Sequence, residues 1–249
     1  MIYRMNLSIC DPEKLTNMNN LLLHLADNAL VLGHRNSEWT GHGPILEQDI
    51  ALSNISLDLI GQSRHFYQYA AEQTGNGTTE DSLAYLRGAE EYKNSLLVEQ
   101  TNGHWGKTIL RQFIFSAYQY PLYEQLSGNE DEKLAAIAKK SIKEVTYHLR
   151  WSSEWVIRLG QGTEVSRDKM NEALKELWPY TEDLLMNADE TVREKWQTRV
   201  DDVLKMAGLE IPSDVKMVTG GMEGVHSEHL YKMLEEMQFM QRTYPGVEW

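Results

Sequence analysis

The sequence predicts an all-α bundle. Apolar residues recur at three-and-four spacing over most of the chain, hairpin signals are scarce, and breakers such as Gly41, Gly43 and Gly75 fall between the periodic runs. At 249 residues, 41% hydrophobic and 24% charged, the chain has the composition of an ordinary globular protein and the length for one large helical domain over 1–249.

The first ten residues read as a loose arm. Asp11-Pro12-Glu13 then starts a helix with proline just inside it, and Leu15, Met18, Leu22, Leu25, Ala29 and Leu32 form its buried stripe. His24, Asp27, Asn28, His34 and Glu38 lie off that stripe. A tight corner from Trp39 to Pro44 returns the chain as an αα-hairpin into a second helix of about seven turns. On this helix Glu47, Ala51, Asn54, Asp58, Gly61 and His65 align as one polar stripe. Ile50, Leu52, Ile55, Leu57, Leu59 and Phe66 flank it, so the stripe is predicted to look into the protein.

Residues 74–79 break the chain, and Glu80-Asp81 opens a helix read through to Glu99, where Asn102-Gly103 ends it. A further helix from His104 to about Leu126 carries Ile109, Phe113, Ala117 and Tyr120 on one face, with a kink expected at Pro121. The run from Asp131 to Leu159 is one long helix. Ser166 is read as the cap of a shorter helix ending at Pro179, and Asn187 to Glu190 begins another that ends near Gly208. Residues 209–225 are irregular, with Asp214 to Thr219 extended. A last helix from His226 to Arg242 buries Leu230, Met233, Leu234, Met237 and Met240. The core bundle therefore spans about 14–160, with accessory helices over about 166–242.

The formal charge of −13 disfavours nucleic acid or an anionic membrane surface as a partner. One cysteine, Cys10, leaves no intrachain disulfide framework and no cysteine-rich metal site, and fits a reducing compartment. No signal-peptide pattern and no run of eighteen apolar residues occurs, so a cytoplasmic location is expected. Nucleotide loops and the Gly-x-Ser-x-Gly elbow are absent too.

A carboxylate row in a long-helix bundle raises the question of a di-iron centre, which takes one Glu from each of two helices and Glu-x-x-His from each of two others. That inventory is incomplete. Glu144 and His148 are spaced by four, not three; Asp58 is followed by Gly61 where a His belongs; and residues 103–123 contain no Asp or Glu. Asp27, Asp58, Glu144 and His148 are thus vestigial candidates for metal ligands, and a hydrogen-bonded pair is the simpler reading of Glu144 with His148. The bland reading of Glu47, Asn54 and Asp58 is a buried network with Arg64, Arg111 or His24. The one true Glu-x-x-His, Glu223 to His226, sits beside glycines in a loop and reads as a helix cap and surface feature. Trp151 and Trp155 read as packing. No catalytic residue and no cofactor-binding residue is assigned.

Four blocks carry a resemblance: GHRNSEWTGHGPILEQDIALSNISLDLIGQSR, LLVEQTNGHWGKTILRQF, IKEVTYHLRWSSEWVIRLGQGT and HSEHLYKMLEEMQFMQRTYPGVEW. In that order and over most of the chain they resemble the C-subunit family of bacterial phenylacetyl-CoA epoxidase, an oxygenase of aerobic phenylacetate degradation. The resemblance implies a ferritin-like four-helix bundle with additional C-terminal helices. It implies a homologous A subunit that carries the di-iron site, a small B subunit, and a reductase with FAD and an iron–sulfur centre. It also implies a structural role for this chain, with no cofactor of its own, in a homo- or hetero-oligomer. The rival reading is an autonomous di-iron oxidase or ferroxidase with unusual ligands.

Overall fold

The computed structural model describes residues 12–247; the expected N-terminal arm, Cys10 and the side chain of Leu15 lie outside what is described. The fold is all-α and ferritin-like, and no strand occurs among the described residues. Four long helices make the bundle: α1 (Pro12–Ser37), α2 (Leu46–Thr74), and, after two short helices, α5 (Trp105–Leu126) and α6 (Glu132–Gly160). The short ones are α3 (Glu80–Tyr85) and α4 (Leu96–Glu99).

Cross-bonds give the register. Asn36 meets Gln112 and His24 meets Tyr118, so α1 runs antiparallel to α5. Gln48 meets Trp151 and Gln62 meets Glu144, so α2 runs antiparallel to α6. Helix α1 is buried around nearly its whole girth from Leu22 to Leu32, which is why His24, Asp27 and Asn28 are interior although they lie off the apolar stripe. Helix α5 runs unbroken through Pro121.

Beyond the bundle, α7 (Glu164–Leu177) and, after α8 (Thr181–Leu185), α9 (Glu190–Ala207) pack on α5 and α6. Thr163 caps α7, not Ser166: Thr163 accepts from the Ser166 amide at 3.2 Å, while Ser166 donates its own hydroxyl to Leu159 O. Asp189 caps α9, and Gly208 closes it in the left-handed conformation. Residues 214–219 form no strand.

Three further predicted features differ, and long-range packing accounts for each. The run 80–99 is not one helix: its amides bond to side chains from distant elements instead, Lys93 N to Asp27, Ser95 N to Asn28 and Leu96 N to Asp183. The last helix divides into α10 (Glu228–Met237) and α11 (Phe239–Thr243) at Gln238, whose side-chain amide reaches Ala84 O and Arg87 O; Met240, predicted buried, is exposed. The polar stripe of α2 does not look inward. Glu47 and Asn54 are turned away from the core, and Asp58, Gly61 and His65 sit at the bundle's rim. Leu52, Ile55, Leu59 and Phe66 do enter the core, whereas Ile50 and Leu57 point to solvent.

Candidate functional site: the polar interior of the bundle

The inward polar positions of the four long helices are occupied mostly by neutral groups. Gln62 on α2 donates to Glu144 Oε2 on α6 at 2.8 Å. Its carbonyl oxygen accepts from Gln119 at 3.3 Å and from the Tyr123 hydroxyl at 3.4 Å, both on α5. One end of the bundle repeats the pattern: Asn36 donates to Gln112 Oε1 at 2.6 Å, and Gln112 donates to Ser116 at 2.8 Å. Burial pushes the Tyr123 phenol far up, so it stays a neutral donor.

The sequence-predicted candidates do not converge. Asp27, fully buried, accepts from both terminal nitrogens of Arg87, from the Tyr67 hydroxyl, and from Lys93 N at 2.7 Å. Burial raises the Tyr67 phenol and the Asp27 charge raises it further, which keeps the proton on the donor. Burial alone would lower Arg87, but Asp27 prevails and holds the guanidinium charged. Arg87 also stacks 4.2 Å from the Tyr92 ring centroid.

Asp58 belongs to a different place. Its carboxylate, 37% exposed, lies 2.9 Å from Nε2 of the fully buried His148. The other ring nitrogen of His148 has no partner among the described residues, so the ring is held through Nε2 alone. Glu144 bonds Gln62 rather than His148. Arg64, Arg111 and His24, the suggested network members, bind Glu80, Gln100 O with Asn102, and Lys93 O respectively. Burial, reinforced by the charge of Arg35, drops Arg111 to about 9.

Among the described residues no three His, Cys, Asp or Glu side chains gather so as to hold a metal ion. The donor set does not fit a di-iron centre: two ferrous or ferric ions need bridging anionic oxygens, and α5 offers amides and a phenol where a carboxylate belongs.

Two buried acids that matter escaped the sequence reading. Glu99 accepts from Ser227 N at 2.7 Å and pairs with His226 Nδ1 at 3.0 Å, so His226 is an interior residue and not a surface one. Asp183 accepts from Leu96 N, Gly220 N and Gly221 N. Gly221 is obligatory there, since a Cβ would collide with Asn94 O. No local pattern marks either acid. The inner glutamines did carry a signal, because Gln112 and Gln119 are seven apart and share a face.

This architecture of four long helices with an amide-lined interior has known relatives. Residues 11–249 match the family model described as phenylacetic acid catabolic protein. The chain belongs to that family. Within it, 242 aligned residues are 46% identical to the C subunit of the 1,2-phenylacetyl-CoA epoxidase of Escherichia coli (strain K12), covering 91% of this chain and 97% of that protein. Among the described residues of this family member, no helix is long and apolar enough to cross a membrane.

Proposed function

We propose that this chain is the structural, non-catalytic subunit of a phenylacetyl-CoA 1,2-epoxidase working in aerobic phenylacetate catabolism in the cytoplasm. It pairs with and supports a catalytic A subunit that carries the di-iron centre; a small B subunit and a reductase with FAD and an iron–sulfur centre complete the system. The similarity to an epoxidase C subunit supports the assignment to the complex. One observation carries the non-catalytic role: each of the candidate ligands is engaged by a protein partner, Asp27 by Arg87, Asp58 and His148 by one another and Glu144 by Gln62. Removing any of them for metal would leave a buried cation, imidazole or amide unpaired.

The test is metal content and turnover. The chain purified alone is expected to hold far less than one iron per subunit and to leave phenylacetyl-CoA untouched when supplied with reductase, NADPH and oxygen. Co-expression with the A subunit is expected to give a complex that survives gel filtration. Stoichiometric iron with turnover by the chain alone would overturn the assignment, and separate elution of the two chains would overturn the pairing.

A further inference from the structure

Among the described residues, helix α2 leaves one long face uncovered. Leu46, Ile50 and Leu57 project from it with 71%, 51% and 67% of their surface exposed, and Ile45 before the helix adds 53%. Helical periodicity places Leu46, Ile50, Leu57 and Gly61 within one narrow sector, so these are one apolar stripe and not scattered side chains.

Gly61 gives an independent indication. It lies deep inside a helix of 29 residues, where glycine is disfavoured relative to alanine. A Cβ added there would meet nothing within 4 Å, so no packing among the described residues requires its absence. A bare backbone on an apolar stripe suits close approach by another chain. Next to it, around Ile60 and Arg64, a cleft of about 250 Å³ opens between α2 and α3, floored by Leu30 and Ala84. Such a recess beside an apolar stripe takes an anchoring side chain.

Charge decides what covers the face. The rim carries Glu47, Asp58, Glu80 and Asp81 against Arg64, which Glu80 already pairs, and Lys140, which His65 binds, so its balance is acidic, on a chain of net charge −13. Two copies of this chain would bring like-signed rims together, whereas an apolar helix face bordered by Lys and Arg would complement it. We propose that the outward face of α2, from Ile45 to Gly61, is the docking surface for a partner subunit with an apolar, basic-rimmed helix face. Resting on the pairing proposed above, that partner is the catalytic A subunit.

The test compares association of full-length variants with the A subunit by calorimetric titration. Leu57→Glu and Gly61→Phe are each expected to weaken binding at least a hundredfold while the isolated chains keep the wild-type helical spectrum and melting temperature. Met206→Glu, at a similarly exposed apolar position on α9, is expected to bind as wild type. Gly61→Ala is expected to raise the melting temperature of the isolated chain and yet weaken association. Wild-type-like binding by both Leu57→Glu and Gly61→Phe overturns the surface while leaving the pairing intact. A wild-type chain that ignores the A subunit overturns the pairing itself. A wild-type dimer that Leu57→Glu dissolves overturns the choice of occupant.

Discussion

Removing the Asp27 carboxylate separates a structural acid from a metal ligand. Asp27 is wholly buried, and its two oxygens receive Arg87, the Tyr67 hydroxyl and Lys93 N. Asp27→Ala strands a guanidinium whose side chain is only 9% exposed, together with a phenol and an amide. Leaving one partner of a buried ion pair uncompensated costs about 3–5 kcal/mol. For a chain of this length each kcal/mol moves the melting temperature by roughly 2–4 °C, so the expected loss is roughly 6–20 °C. Arg87→Met alone should cost less, because Tyr67 and Lys93 still serve the carboxylate. The double variant Asp27→Ala/Arg87→Met removes both charges and should be more stable than the sum of the single changes implies. Thermal melts followed by circular dichroism measure each single and double variant against wild type. A melting temperature for Asp27→Ala within about 2 °C of wild type, or strict additivity in the double variant, would refute the reasoning.

The His226–Glu99 pair gives the C-terminal segment a pH dependence. Both ring nitrogens face acceptors, Glu99 Oε2 at 3.0 Å and Tyr92 O at 3.1 Å, so the ring donates twice as an imidazolium. Burial pulls its pKa down, but the Glu99 carboxylate, the Tyr92 carbonyl and the charge of Asp27 together outweigh burial and the net shift is upward. The stabilisation is therefore complete below the unfolded value of about 6.5 and is lost as pH rises through the raised folded value. Protection factors of the α10 amides, which remove the intrinsic pH dependence of exchange, should fall above that range in wild type and stay nearly level in His226→Gln; an identical response in the two chains would count against the pair. At Asp58, Asp58→Asn keeps an acceptor for His148, and the site is partly solvated, so the cost should be about 1 kcal/mol or less. The variant assembled with wild-type partners should retain most of the epoxidase activity, and loss of activity with loss of iron from this subunit would contradict the structural role.

Secondary structure of the four long helices was legible in the sequence because their apolar periodicity is long and sustained, and α1, α2, α5 and α6 all lie close to where spacing put them. The acid-free stretch of α5 was equally plain, since a missing carboxylate is a matter of composition and not of geometry. Tertiary structure alone decided which face of α2 is inside: a polar row and an apolar row at adjacent angles leave the orientation open, and contact with α1 and α6 drew Leu52, Ile55 and Gln62 inward while Leu57 and Gly61 stayed out. It also decided the fate of residues 80–99. Their local pattern favours a helix, but Asp27, Asn28 and Asp183 lie 66, 67 and 87 residues along the chain from the amides they bind. Only the folded bundle brings those acceptors within reach, and for Lys93 and Leu96 a buried carboxylate is a stronger acceptor for an amide than the helix carbonyl it replaces.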